Sequence, residues 1–202
     1  PYRRQRQMCI RDRLMIGYLP TTLEVAGKEY SICSDYRVAL VIFEAFDDPE
    51  LNEYDKMAVM LDCLYKEPDS IPREACNEAI EKASWFLDGG EDYKEVGQQR
   101  QKKVMSWSQD EKMIFSAVNK TAGQEVRAVP YMHWWTFLGY FAEIGECLFS
   151  TVRSIREKKN RHKKLDKWEQ EFYKEHKKMI DIERKYSAQE QAERDALNKL
   201  LG

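Results

Sequence analysis

From Leu19 onward, apolar positions recur first at every second residue and then at every third or fourth. In "LPTTLEVAGKEYSI" (residues 19–32), Leu23 and Val25 alternate with polar neighbours before Ala26-Gly27-Lys28, and Tyr30 and Ile32 do so after it. Period-two alternation around a glycine predicts a β-hairpin. Two strands alone are marginal in water, so this hairpin is expected to lean on helices.

The period then changes to the helical one. "SDYRVALVIFEAFDD" (34–48) offers Ser34 or Asp35 as N-cap, lines up Val38, Val41, Ile42 and Ala45, and runs out at Pro49. "NEYDKMAVMLDCLYKE" (52–67) is capped by Asn52, carries Met57, Met60, Leu61 and Leu64 on one stripe, and stops at Pro68. "SIPREACNEAIEKASWFLDGG" (70–90) has Ser70 as N-cap, Pro72 in its first turn and Gly89-Gly90 as its stop. Its inward face is Ala75, Cys76, Ala79, Ile80, Ala83, Phe86 and Leu87.

Residues 91–107 show no period and read as a linker or mobile loop. "SQDEKMIFSAVNKTAG" (108–123) restarts the helical pattern with Ser108 and Glu111 at capping-box spacing, and Gly123 closes it. The most apolar stretch, "VPYMHWWTFLGYFAEIGECL" (129–148), predicts the central helix of the core. Beyond it, no Gly or Pro interrupts residues 146–201. There Leu165, Trp168, Phe172, Met179, Ile182 and Tyr186 follow an a/d spacing that Glu175 interrupts. A helix over about 160–200 would be roughly 60 Å long. Such a rod must project to a partner helix, its own copy or another chain, fold back, or stay partly disordered.

The pattern therefore predicts a mainly α protein: a helical bundle with a small N-terminal β-hairpin and a long C-terminal amphipathic helix. Residues 15–150 hold the hairpin and core, and 151–202 form a charged helical extension. The 43% hydrophobic content fits a modest core, and the 34% charged content fits that extension. Residues 1–14 contribute five Arg and one Asp, so residues 15–202 carry 28 basic against 34 acidic side chains, a net charge of -6. An acidic body argues against general nucleic-acid binding. Five scattered cysteines without a CxxC pair fit reduced thiols in a cytoplasm. No apolar run reaches the roughly 20 residues a membrane span needs.

Candidate chemistry is sparse. His133, in the most apolar segment, reads as a hydrogen-bonded core histidine. His162 and His176 lack ligand-spaced partners, so no metal is expected. There is no phosphate-binding glycine loop and no nucleophile motif, so neither a cofactor nor an enzyme activity is expected. "RSIREKKNRHKK" (153–164) holds eight basic residues and one acid. It reads as a solvated helix start answered by the acids at 166, 169, 171 and 175, with phosphate binding as the competing reading.

Three stretches carry a likeness. They are "LPTTLEVAGKEYSICSDYR" with its Asp35-Tyr36-Arg37, "SWSQDEKMIFSAVNKTAG", and "MHWWTFLGYF" with His133, Trp134, Trp135 and Phe137. In their order and spacing the chain from Leu19 to about Lys178 resembles the gene-product-fifteen family of siphophages and prophages of Gram-positive bacteria. The resemblance implies a non-enzymatic tail assembly chaperone, encoded between the major tail protein and the tape-measure protein and absent from the finished virion. It implies the tape-measure protein, the major tail protein and a second tail chaperone as partners, in the cytoplasm of the infected host. The motif residues are expected to be structural, and the 165–186 stripe to meet partners or a second copy of the chain. Two other readings stand beside it: a nucleic-acid-binding regulator using 153–164, and a minor structural tail protein. The family pattern stops before "SAQEQAERDALNKLLG".

The first residues spell something different. Arg3 to Asp12 is what CGT CGG CAG CGT CAG ATG TGT ATA AGA GAC encodes, a string that resembles a transposase-based sequencing adapter. Residues 1–14 are therefore expected to be a library artefact or a disordered arm, with the native chain starting at Met15.

Overall fold

The computed structural model describes residues 17–91 and 102–201. The artefact reading of residues 1–14 lies outside them, as does the linker reading over 92–101. Strands β1 (Thr22–Val25) and β2 (Lys28–Ser31) pair antiparallel with Leu23 opposite Tyr30. Ala26 and Gly27 join them at φ 50° and 76°, the two left-handed positions of a type I′ turn. Leu23, Val25, Tyr30 and Ile32 are buried, while Glu24 and Glu29 face solvent. Ile32 then bridges to Tyr65, and the Cys33 N–H donates to the Leu64 carbonyl at 2.7 Å. The hairpin thus leans on a helix end.

The helices are α1 (Tyr36–Phe46), α2 (Glu53–Leu64), α3 (Cys76–Leu87), α4 (Glu111–Ala122), α5 (Trp134–Ala142), α6 (Leu148–Asn160), α7 (Lys167–Glu175), α8 (Lys177–Ile180) and α9 (Ala188–Leu201). The protein is mainly α, with the expected hairpin first and a helix last. One apolar cluster runs from the hairpin through α1–α5 to Phe149. A smaller one gathers Val152, Ile155 and Ile180, with Leu165, Phe172 and Met179 packed against it.

Local chemistry explains most helix starts. Asp35 caps α1 through the Arg37 N–H, and Asn52 caps α2 in a reciprocal box with Asp55. Elsewhere tertiary demands override the local pattern. Ser70 does not cap α3: its hydroxyl donates to the Glu67 carbonyl and closes a preceding 3-10 turn, and α3 starts at Cys76. Ser108 does not cap α4 either. Asp110 turns inward there, accepting the Ser106 N–H at 3.0 Å, so the helix opens at Glu111. Val41 is 53% exposed because buried Tyr36 sets the rotation of α1 and turns Ala39 and Ile42 inward. The central segment is helical only over Trp134–Ala142, and a new helix opens at Leu148. Residues 102–107 are no free linker, since Met105 and Trp107 pack on the main core and Ser106 is buried.

The single rod over 160–200 is the largest difference. His162 adopts φ 53°, Asp166 and Glu169 open α7 with their own capping box, and residues 182–187 are outside any helix. Folding back lets Ile180 bury completely against α6, a gain a projecting rod would forgo.

Candidate functional site

The structure brings the two motif clusters together. Asp35 Oδ1 accepts the Arg37 N–H at 2.9 Å, and its Oδ2 accepts the Met132 N–H at 3.1 Å. The Tyr36 N–H donates to the Met132 carbonyl and the Trp134 N–H to the Ser34 carbonyl, completing a bridge of Asp35 with His133. Arg37 binds both Asp35 oxygens and reaches the Arg127 and Val129 carbonyls at 3.2 and 2.7 Å. The Tyr36 ring lies flat on Phe137, centroids 4.7 Å apart. Asp35, Tyr36, Arg37, His133 and Phe137 therefore form one clip between α1 and α5.

His133 also caps α5. Its Nδ1 accepts the Trp135 N–H at 3.0 Å, which leaves Nε2 to donate to the Pro20 carbonyl at 2.9 Å. Both nitrogens of a neutral imidazole are thereby committed. Burial pushes its pKa below the ordinary histidine value, and the Pro20 bond opposes this only in part. The unfolded chain then takes up the proton more readily than the folded one. His133 therefore contributes stability above the unfolded pKa of about 6.5, and this is lost as the pH falls through that value towards the lower folded one. Urea midpoints at pH 7.5 and 5.5 should differ more for the natural protein than for His133→Asn, which can cap without titrating; equal differences would exclude this role.

The two tryptophans finish α3. The last carbonyls of a helix lack intrahelical partners, and Trp134 Nε1 donates to the Leu87 carbonyl while Trp135 Nε1 donates to that of Phe86, each at 2.8 Å. Gly90, at φ 85°, lets the chain leave beneath them: a Cβ there would lie 2.7 Å from Trp135 Cη2.

A second centre lies where α4, α6 and α8 meet. Asp110 and Arg156 are buried and bond through both guanidinium nitrogens, at 2.5 and 2.8 Å. Arg156 also donates to the carbonyls of Val104, Met179 and Ile180. Beside it Lys159 meets Asp181 at 2.5 Å and lies over the Tyr173 ring. Burial pushes the Asp181 carboxyl up, but hydrogen bonds from Lys159 and Tyr173 bring it below its ordinary value. Lys158 pairs with the buried Glu169, and Arg161 with Glu157. Half of the 153–164 basic run is thus spent on internal ion pairs, while Arg153, His162, Lys163 and Lys164 stay exposed.

The a/d residues do not form one stripe, because they do not share one helix. Trp168 is 57% exposed and stacks on Phe172 (5.3 Å), which packs on His176 (4.5 Å). Leu165 and Met179 rest on the smaller cluster. Ile182 lies in the non-helical segment 182–187, and Tyr186 is held between Arg184 and Arg194. The Asp110–Arg156 pair escaped sequence reading, although Arg156 follows Ile155 and stands four residues after Val152, on the apolar face of α6. Among the described residues, no group of three or more His, Cys, Asp or Glu is placed to hold a metal, and no helix is long and apolar enough to cross a membrane.

Against known proteins, a family model described as "Bacteriophage Gp15 protein" matches residues 15–182, well over half of the chain. No curated protein and no solved structure matches it.

Proposed function

The chain belongs to the bacteriophage Gp15 protein family, and on that premise we propose that it is a non-enzymatic tail assembly chaperone that binds the tape-measure protein. The observation that carries the reading is the Trp168–Phe172–His176 ladder along and just beyond a short amphipathic helix, in which exposed Trp168 and His176 flank the half-buried Phe172. A long, amphipathic helical client needs its apolar stripe covered until the tail tube closes around it. An aromatic strip of this kind suits a helix laid along it. Contacts so small are individually weak, and many copies along one client would let tube subunits displace them in turn. The one histidine in the most apolar segment is fully engaged as a cap, which supports a binding role over acid–base chemistry. The protein acts in the host cytoplasm and leaves before the virion is complete, with the major tail protein and a second tail chaperone as further partners.

Co-expression tests this. An apolar fragment of the tape-measure protein encoded beside this chain should stay soluble and co-purify with it, and a Trp168→Ala/Phe172→Ala variant should recover much less. A fragment that aggregates regardless would sink the reading. Salt-sensitive binding of a DNA duplex would favour a regulator instead, and the protein's presence in purified particles a structural tail component.

A further inference from the structure

Two stretches outside any helix or strand, residues 102–106 and 182–187, border an open groove of about 730 Å³ beside the Arg156 centre. Half-buried Ile182 gives it an apolar patch, above the fully buried Ile180. Its lining holds six cations (Lys102, Lys103, Arg156, Lys159, Arg184, Lys185) against three carboxylates (Asp47, Asp181, Glu183). Asp110 beneath neutralises Arg156, so the excess is two positive charges on a chain whose own net charge is -2. Asp47 and Asp181 are already answered by Lys103 and Lys159. Among the described residues, that leaves Lys102, Arg184 and Lys185 facing Glu183, apart from a loose 3.7 Å contact of Arg184 with Glu190.

The backbone at the rim is equally underused. Arg156 ties the first stretch to the end of α8 through the Val104 and Ile180 carbonyls, but the two stretches make no main-chain bond to each other among the described residues. Gln109 bonds the Asp181 carbonyl and the Glu183 N–H with its side-chain amide, mimicking a neighbouring strand. Among the described residues, the N–H groups of Ile182, Arg184, Lys185 and Tyr186 have no protein partner.

We propose that this groove docks an extended, acidic peptide segment of a partner protein, with carboxylates alternating with apolar side chains. An extended chain points successive side chains to opposite sides. One set would settle on Ile182 while the other meets Lys102, Arg184 and Lys185, and main-chain carbonyls would accept from the N–H groups of Ile182, Arg184, Lys185 and Tyr186. Nucleic acid fits less well, because among the described residues the rim has no open aromatic platform for bases: Tyr186 is covered by Arg184 and Arg194. The docking uses none of the α7 ladder, so it stands or falls separately from the chaperone reading.

The probe is a fluorescein-labelled eight-residue peptide alternating Glu and Val, read by fluorescence anisotropy on the full chain. Its counterpart alternating Lys and Val and a labelled dT12 oligonucleotide are run beside it. The acidic peptide should bind, weaken as salt rises, and lose at least tenfold in affinity with Lys102→Glu/Lys185→Glu; the lysine peptide should not bind. Both positions are solvent-exposed, so the variant's circular dichroism and melting should match the natural protein. A Gln109→Ala variant should weaken binding too, by freeing the 181–183 backbone from its register. Failure of the acidic peptide to bind, affinity unchanged by charge reversal, or binding of dT12 as tight as the peptide's would each overturn the proposal. So would sedimentation showing that a second copy of the chain already occupies the groove.

Discussion

Replacing Trp134 by alanine is expected to cost about 3–5 kcal/mol, the range for emptying a large buried aromatic site. Domains of this size have about 5–15 kcal/mol in all, so the variant should sit near its unfolding threshold. Trp134 is 1% exposed and stacks on Phe137 at 5.7 Å, between Phe43 and Trp107. The cavity would open in the middle of the aromatic layer. Its loss would also strip the Leu87 carbonyl of a donor at the end of α3. Trp134→Phe separates the two effects. It keeps most of the ring and loses the N–H, so it should cost about 1–3 kcal/mol, the penalty for an unpaired buried acceptor. Urea denaturation followed by far-ultraviolet circular dichroism gives both values. If the two variants melt together, the indole bond rather than the ring volume would be the dominant contribution.

Asp110→Ala should be of similar severity, about 3–5 kcal/mol, because it leaves the Arg156 guanidinium charged, buried and unpaired. The converse change, Arg156→Met, strands the Asp110 carboxylate and also frees the carbonyls of Val104, Met179 and Ile180. It should therefore loosen the C-terminal region as well as lower global stability. Limited proteolysis would reveal this as faster cleavage around 181–187 than in Asp110→Ala matched for stability. The double variant Asp110→Leu/Arg156→Met removes both charges and should be less impaired than either single change, while remaining below the natural protein because the three carbonyls stay unpaired. Strictly additive losses would show that the pair contributes nothing as a pair.

What the sequence made legible was local. Leu23, Val25, Tyr30 and Ile32 alternate over a short span, and the caps at Asp35 and Asn52 act within three residues of themselves. Such signals need no knowledge of the rest of the molecule. The departures come from distant partners. Ser108 sits at perfect capping spacing, yet Asp110 is drawn inward by Arg156, 46 residues away in sequence, and the helix start moves with it. Val41 obeys the apolar stripe of α1, but the stacking of Tyr36 on Phe137 fixes the helix at a different rotation.

The C-terminal third shows the same contest. Absence of Gly and Pro argued for one rod, and nothing in the composition marks His162 as a left-handed residue. A start signal was nevertheless present four residues later, where Asp166 and Glu169 stand at capping-box spacing. The motif residues were legible as a group but not as an arrangement. Nothing in "HWW" alone says that its two indoles would close the end of a helix some 47 residues earlier. Arg156 was the hardest to read, because seven neighbouring basic residues disguise the one that goes inside.

The clip between Asp35 and Met132 joins residues 97 apart in the chain. During synthesis at about 5–20 residues per second, the hairpin and α1 would wait roughly 5–20 s for α5 to be made. Over that interval Tyr36, Ala39 and Ile42 have no aromatic layer to bury against, and the edges of a two-stranded ribbon lie open. Folding of this protein is therefore expected to be a late event on the ribosome that waits for Phe137, and a nascent chain arrested before that residue should remain protease-sensitive over residues 17–91.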